Sequence, residues 1–166
     1  AADGVSATGR LRQRAPAPAT TDHRDPALMT DLRVRPNVPF ELAPLARLLA
    51  DEADLALVNP NAKFPFDQLE WREKWLNEPD DASFYLVDET GREVGFFALR
   101  VGIGPEVRHL VYVFIEEAAR GGAGKQLTEM AEAAARDLGA LSITLKAETD
   151  NEAAMRLYDG AGYEEL

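Results

Sequence analysis

Val111 to Leu127, VYVFIEEAARGGAGKQL, decides the fold: an apolar strand runs through a glycine-rich turn into a helix. A strand-to-helix junction of this kind gathers backbone N–H groups, because a helix's first turn has donors without intrahelical partners and its dipole adds positive potential. Such a turn suits a pyrophosphate. Gly121, Gly122 and Gly124 would let phosphates approach the backbone, and Arg120 and Lys125 would add cationic contacts around Ala123. A plain flexible connection is the alternative reading. Two phosphate-binding patterns fail on spacing. A Walker loop needs a glycine where Ala119 stands and a Ser or Thr where Gln126 stands, and a dinucleotide fingerprint needs a third glycine where Leu127 stands.

Upstream, β-rich runs alternate with turn signals at Ser83 to Val87, Val94 to Val101 and Val107 to Ile115, which predicts an antiparallel meander. Downstream the period changes. Leu127, Met130, Ala131, Ala134 and Leu138 share a helical face over Gln126 to Leu138, with Gly139 as the C-terminal cap. Leu141 to Leu145 then alternates as a strand and Asn151 to Tyr158 begins a further helix, so a strand, crossover helix and parallel strand are expected. Nearer the start, Leu32 to Val34 predicts a short strand, Glu41 to Leu57 one helix with Glu41 at its dipole-favoured start, and Asp67 to Leu76 a second amphipathic stretch. Trp71 and Trp75 on that stretch suit either core packing or the walls of an acceptor pocket.

With 166 residues, 46% of them apolar, the chain is long enough for one domain with a substantial core. Residues 1–28 carry Ala, Pro, Thr and Arg without apolar periodicity and read as a flexible arm. Four arginines against three aspartates leave that arm at +1 and the remainder at −12, which agrees with a domain over residues 29–166, starting at Met29. No apolar run reaches membrane-spanning length and no secretory signal pattern opens the chain, so a soluble, cytoplasmic protein without membrane partners is expected. The net charge of −11 disfavours nucleic acid and suits either solubility or attraction of a basic substrate. Without cysteine, and with His23 and His109 as its only histidines, the chain offers no familiar metal cluster.

The glycine-rich segment resembles the acetyl-CoA loop of the GNAT superfamily of N-acetyltransferases, in which a Gln or Arg is followed after two residues by Gly, any residue, and Gly or Ala. Gly122, Ala123 and Gly124 fit the glycine half, and Leu127 falls at the first helix's core leucine. Arg120 takes the basic position with the loop one residue shorter than the common form. A second motif resembles the same family: Asn151, Ala154, Leu157, Tyr158, Gly162 and Tyr163 follow its spacing. The resemblance covers Leu32 to Tyr163 in element order. It implies an α+β fold, a mixed and mostly antiparallel central sheet with helices on both faces and a splay between two strands that holds acetyl-CoA.

It further implies that backbone groups of Val113, Phe114 and Ile115 bind pantetheine while Arg120 to Lys125 hold the diphosphate. Asn151 meets the cofactor in such proteins, and also suits a helix N-cap. Tyr158 matches the general acid that protonates the departing sulfur, with core packing as its alternative; its phenol, of pKa about 10, would be protonated at neutral pH. His109 lies where relatives often place a glutamate base, although a strand histidine can simply face solvent; Glu106, Glu116, Glu117 or water are alternatives. The implied activity moves an acetyl group from acetyl-CoA to a primary amine of a small molecule or a protein, without a metal. A CoA-binding regulatory or interaction module that has lost catalysis is the other reading. A homodimer is expected from family habit. Members usually continue past the Gly-aromatic pair into a final strand, for which Leu166 leaves little room, so that strand is expected to be missing or supplied otherwise.

Overall fold

The computed structural model of the protein describes residues 4–11, 32–76, 78, 80–102, 104–119, 123–148, 159 and 163–165. Its strands are β1 (Gly4–Arg10), β2 (Arg33–Pro36), β3 (Ala82–Val87), β4 (Glu93–Gly102), β5 (Gly104–Ile115), β6 (Ser142–Glu148) and β7 (Glu164–Glu165). They form one sheet in the order β2-β3-β4-β5-β6-β1-β7. Only β5 and β6 run parallel; every other neighbouring pair is antiparallel. The helices are α1 (Ala43–Leu48), α2 (Glu52–Val58), α3 (Gln68–Leu76) and α4 (Ala123–Asp137), with a 3-10 turn at Glu117–Ala119.

The meander runs where the apolar runs place it, because β3 and β4 are buried on both faces. Phe84, Leu86, Phe97 and Leu99 face α4 and its residues Leu127, Ala131, Ala134 and Ala135. Tyr85, Phe96 and Ala98 face the opposite way, onto Leu42, Leu45, Leu49, Leu55 and Trp71 of the N-terminal helices. Helices therefore cover both faces, and strands buried on two sides read as continuous rather than alternating apolar runs. The cap at Gly139 is also present: its φ is +89, its N–H reaches the Arg136 carbonyl at 2.9 Å, and the Ala140 N–H reaches Ala135 at 3.0 Å. Leu138 leaves the apolar face and is exposed. No helix among the described residues is long and apolar enough to cross a membrane.

Ahead of β3, the structure differs from the sequence reading in three places. The expected helix over Glu41 to Leu57 is two helices, because the Asp51 side chain accepts from the Asp54 N–H at 3.2 Å and restarts the helix as its N-cap. Glu41 lies before α1. Its N–H donates to Asn37 Oδ1 at 2.9 Å, its carbonyl accepts from the Tyr85 hydroxyl at 2.7 Å, and its carboxylate pairs with Arg35. Burial pushes the Tyr85 phenol far above its usual range, so it stays a donor.

The third difference concerns the expected flexible arm over residues 1–28. Gly4–Arg10 is a strand, held between β6 and β7, and the Leu11 N–H continues the contact to the Leu141 carbonyl at 2.9 Å. Its sequence, GVSATGR, carries few bulky apolar residues, and its backbone pairs with β6 along its whole length. Residues 12–31 and the Asn151 to Tyr158 helix lie outside the described residues.

Asn37, 4% exposed, ties the β2-to-α1 turn to β3 by donating from Nδ2 to Ser83 Oγ at 3.1 Å while accepting the Glu41 N–H. Asn37→Ala would strand both partners. Urea denaturation is expected to show a loss of about 1–3 kcal/mol, and an unchanged midpoint would show that the turn is held by other contacts.

Candidate functional site

The site is built where β5 and β6 part. Their parallel pairing covers four residue pairs, from Val107↔Ser142 to Leu110↔Leu145. Beyond that, β5 continues to Ile115 against β4, whereas β6 continues to Glu148 against β1. A cleft consequently opens with Val111 to Ile115 on one wall and Lys146 to Glu148 on the other. Val113, Phe114 and Ile115, the residues expected to bind pantetheine, stand on the first wall.

A β-bulge bends that wall. Between the pairs Phe96↔Phe114 and Ala98↔Val111, β5 spends one residue more than β4. Tyr112 takes up the surplus at a φ of 57, a left-handed conformation that a bulky side chain adopts only when its surroundings impose it. Its ring packs edge-on against Trp71 at 5.2 Å and tilted against Trp75 at 5.8 Å, while Lys74 Nζ lies 4.9 Å from its centroid. Trp71 is 1% exposed and stacks on Phe66, so the core reading of the aromatics holds for it. Trp75 also lines an apolar groove of about 640 Å³ with Pro36, Phe40, Ala82, Phe84 and Leu138. That groove lies at the opposite end of the sheet from the cleft, beside the pair Ala82↔Leu99 rather than Gly95↔Ile115.

At the open end of the cleft, α4 begins at Ala123, three residues earlier than the periodicity predicts. The apolar face starts only at Leu127, but a first turn needs no apolar residue and tolerates glycine, which is why the pattern hides it. Ala123, Gly124 and Lys125 therefore belong to the helix's first turn, the place where backbone donors and dipole favour an anion. Arg120, Gly121, Gly122, Asn151 and Tyr158 lie outside the described residues.

His109 stands at the throat of the cleft, one residue before the last β5–β6 pair. Its cross-strand neighbours are Arg100 on β4 and Thr144 on β6, and Nδ1 lies 2.7 Å from Thr144 Oγ1. Thr144 is in turn paired with Thr8 of β1. Arg100 Nε donates to Asp81 Oδ2 at 3.1 Å. Burial, and then the positive charge of Arg100, hold His109 below the usual histidine range. A neutral ring at pH 7 can accept a proton. Strand registers across the sheet bring Arg100 and Thr144 to this ring, and no local signal in the sequence does so; the bulge at Tyr112 is equally silent there.

The other base candidates differ in surroundings. Glu116 is held by a two-point contact with Arg92, one arm at 3.1 Å, while Glu106 and Glu117 are exposed.

A profile of the acetyltransferase (GNAT) family matches residues 46–163. No curated protein matches the chain in sequence. Among solved structures, spermidine N-acetyltransferase from Vibrio cholerae, in complex with CoA and spermine, is similar with a TM-score of 0.66 at 17% identity, over 81% of this chain and 82% of that one. A domain from Methanocaldococcus jannaschii gives 0.66 at 13% identity, covering 83% and 91%. An aminoglycoside antibiotic 6'-N-acetyltransferase from Acinetobacter baumannii gives 0.56 at 15% identity, covering 81% and 92%. At such identities the likeness is one of fold.

The depressed histidine has a consequence for stability. As pH falls below about 6.5, the unfolded chain protonates this ring before the folded protein does, so native stability declines until the folded pKa is passed. Urea unfolding at about pH 7 and pH 5 should show this decline. His109→Gln should remove part of it, and an identical pH slope in the variant would assign the effect to other groups.

Proposed function

The chain belongs to the GNAT family of acetyltransferases, and we propose that it moves an acetyl group from acetyl-CoA to a primary amine of a small molecule or a protein by direct attack. The observation that carries this reading is the parting of β5 from β6 after Leu110↔Leu145, which leaves a cleft between two walls of backbone. Acetyl-CoA enters as a substrate. Its diphosphate suits the first turn of α4 at Ala123, Gly124 and Lys125, with Arg120 to Gly122 just before it. Its pantetheine arm suits the edge of Val113 to Ile115.

Three chemical needs then fall to residues of this chain. The attacking amine must be neutral, and on this reading His109 takes its proton directly or through water, a role supported by its lowered pKa. The amine nitrogen bonds to the thioester carbonyl carbon, and backbone N–H groups around the bulge suit the resulting oxyanion. The carbon–sulfur bond then breaks, and Tyr158 gives its proton to a thiolate whose conjugate acid has a pKa of about 8.5. The products are an acetamide and the free thiol. Asn151 takes part in cofactor binding on this reading.

The net charge of −11 favours approach of cationic amines, and one structural neighbour holds CoA together with spermine. A polyamine thus leads the acceptor panel, followed by aminoglycosides, amino acids and peptides.

Free thiol release from acetyl-CoA, followed against that panel, is expected to rise with at least one acceptor. Tyr158→Phe should lower turnover roughly a hundred-fold while CoA affinity in calorimetry stays nearly unchanged. Binding of CoA without acetylation of any acceptor would instead favour a regulatory CoA-binding module, and absence of CoA binding would remove both.

A further inference from the structure

We propose that Gly4–Arg10 is the positioning strand of the acetyl-CoA cleft, the element that holds the β6 wall in place; the inference rests on the acetyltransferase reading above. The grounds are in the pairing. β6 has two neighbours, and their coverage is unequal. β5 pairs with it over Ser142 to Leu145, and there the contact ends. β1 pairs with it over the whole length from Ser142↔Arg10 to Glu148↔Gly4. Lys146, Ala147 and Glu148 therefore have one sheet neighbour among the described residues, and it is β1. Those three residues are the wall that faces Val111 to Ile115. Opening a cleft between two strands costs each of them a neighbour, and a strand with no neighbour on either side would expose all its backbone groups to water. β1 prevents this on the β6 side, as β4 does on the β5 side.

The strand is seated by more than its ladder. Gly9 is buried, and a Cβ added there would stand 2.9–3.1 Å from three ring atoms of Tyr163. The Tyr163 hydroxyl donates to Glu132 on α4 at 3.0 Å, so one aromatic ring clamps the strand against the helix whose first turn faces the diphosphate. On the other face, Thr8 lies beside Thr144, the partner of His109, and donates from Oγ1 to the Ile143 carbonyl at 3.2 Å. The same seven residues thus support the wall, the ring that backs α4 and the neighbour of the candidate base.

A short connection does not account for this seat. From β1 to β2 the sheet takes five strand steps, about 24 Å, whereas residues 12–31 offer a contour of roughly 66 Å. Pairing and the Tyr163 contact fix the strand instead.

The test uses full-length chains. Thr8→Pro removes an N–H from a strand flanked on both sides and should loosen β1 while leaving the residues of both cleft walls unsubstituted. We expect faster hydrogen exchange at the amides of residues 146–148, CoA affinity in calorimetry weakened roughly ten-fold, and a raised KM for acetyl-CoA. Thr8→Ser, which keeps both the amide and the hydroxyl, should restore all three. Should Thr8→Pro fail to fold, Gly9→Ala gives the same readouts by pressing β1 off Tyr163. Wild-type exchange at 146–148 together with wild-type CoA affinity in a folded variant would overturn the assignment. If the unaltered protein binds no CoA, the acetyltransferase reading fails, and the exchange measurement alone still decides whether β1 holds the β6 wall.

Discussion

β5 must keep company with two strands that leave in different directions. It stays hydrogen-bonded to β4 as far as Gly95↔Ile115 and abandons β6 after Leu110↔Leu145. Among the described residues, the candidate site lies around that divergence: the histidine just before it, the bulge just after it, and the start of α4 beyond its open end. A sheet that remained paired throughout would bury the same apolar area but would offer no edge for a substrate's amide groups.

The divergence is maintained by packing rather than by local preference. A bulky residue at positive φ costs on the order of 1–3 kcal/mol, and Tyr112 adopts it beneath two indoles that contact its ring at 5.2 and 5.8 Å. Aromatic pairs of this kind contribute about 0.5–1.5 kcal/mol each beyond their buried area, enough to offset much of the strain. α3 therefore has a task beyond covering the sheet: it holds the wall of the cleft in its bent form. The turn at Asn37 secures the same layer from the far edge, where buried side-chain hydrogen bonds connect β2, β3 and the approach to α1.

Much of the sheet was legible from short-range pattern. β3, β4 and β5 announce themselves because burial on both faces forces continuous apolar runs, and α4 because its alanine-rich face repeats at helical spacing. The family resemblance points to Val113 to Ile115 and Ala123 to Lys125 as cofactor segments, and the structure sets the first on β5 beyond its pairing with β6 and the second at the start of α4. What stayed hidden depends on partners distant in sequence. β1 carries only Val5 and Ala7 as apolar side chains, too few to announce a strand, and its place is set by pairing with β6 and β7 far along the chain. The break between α1 and α2 turns on one carboxylate, Asp51, in a stretch whose leucines suit either outcome. The Arg100, His109 and Thr144 row exists only once three strands are in register, across sequence separations that no local period records.

The adjacency of β1 and β7 makes the order in which the chain visits the sheet partly arbitrary. Thr8↔Glu164 and Ala7↔Glu165 place the first and last strands side by side in opposite directions, as the two arms of a hairpin would lie. A loop joining two such arms would be short, so a strand entering directly after β7 could occupy the same place beside β6 that β1 fills from ahead of β2. The architecture is thus specified by which strands meet and not by the order in which the chain visits them.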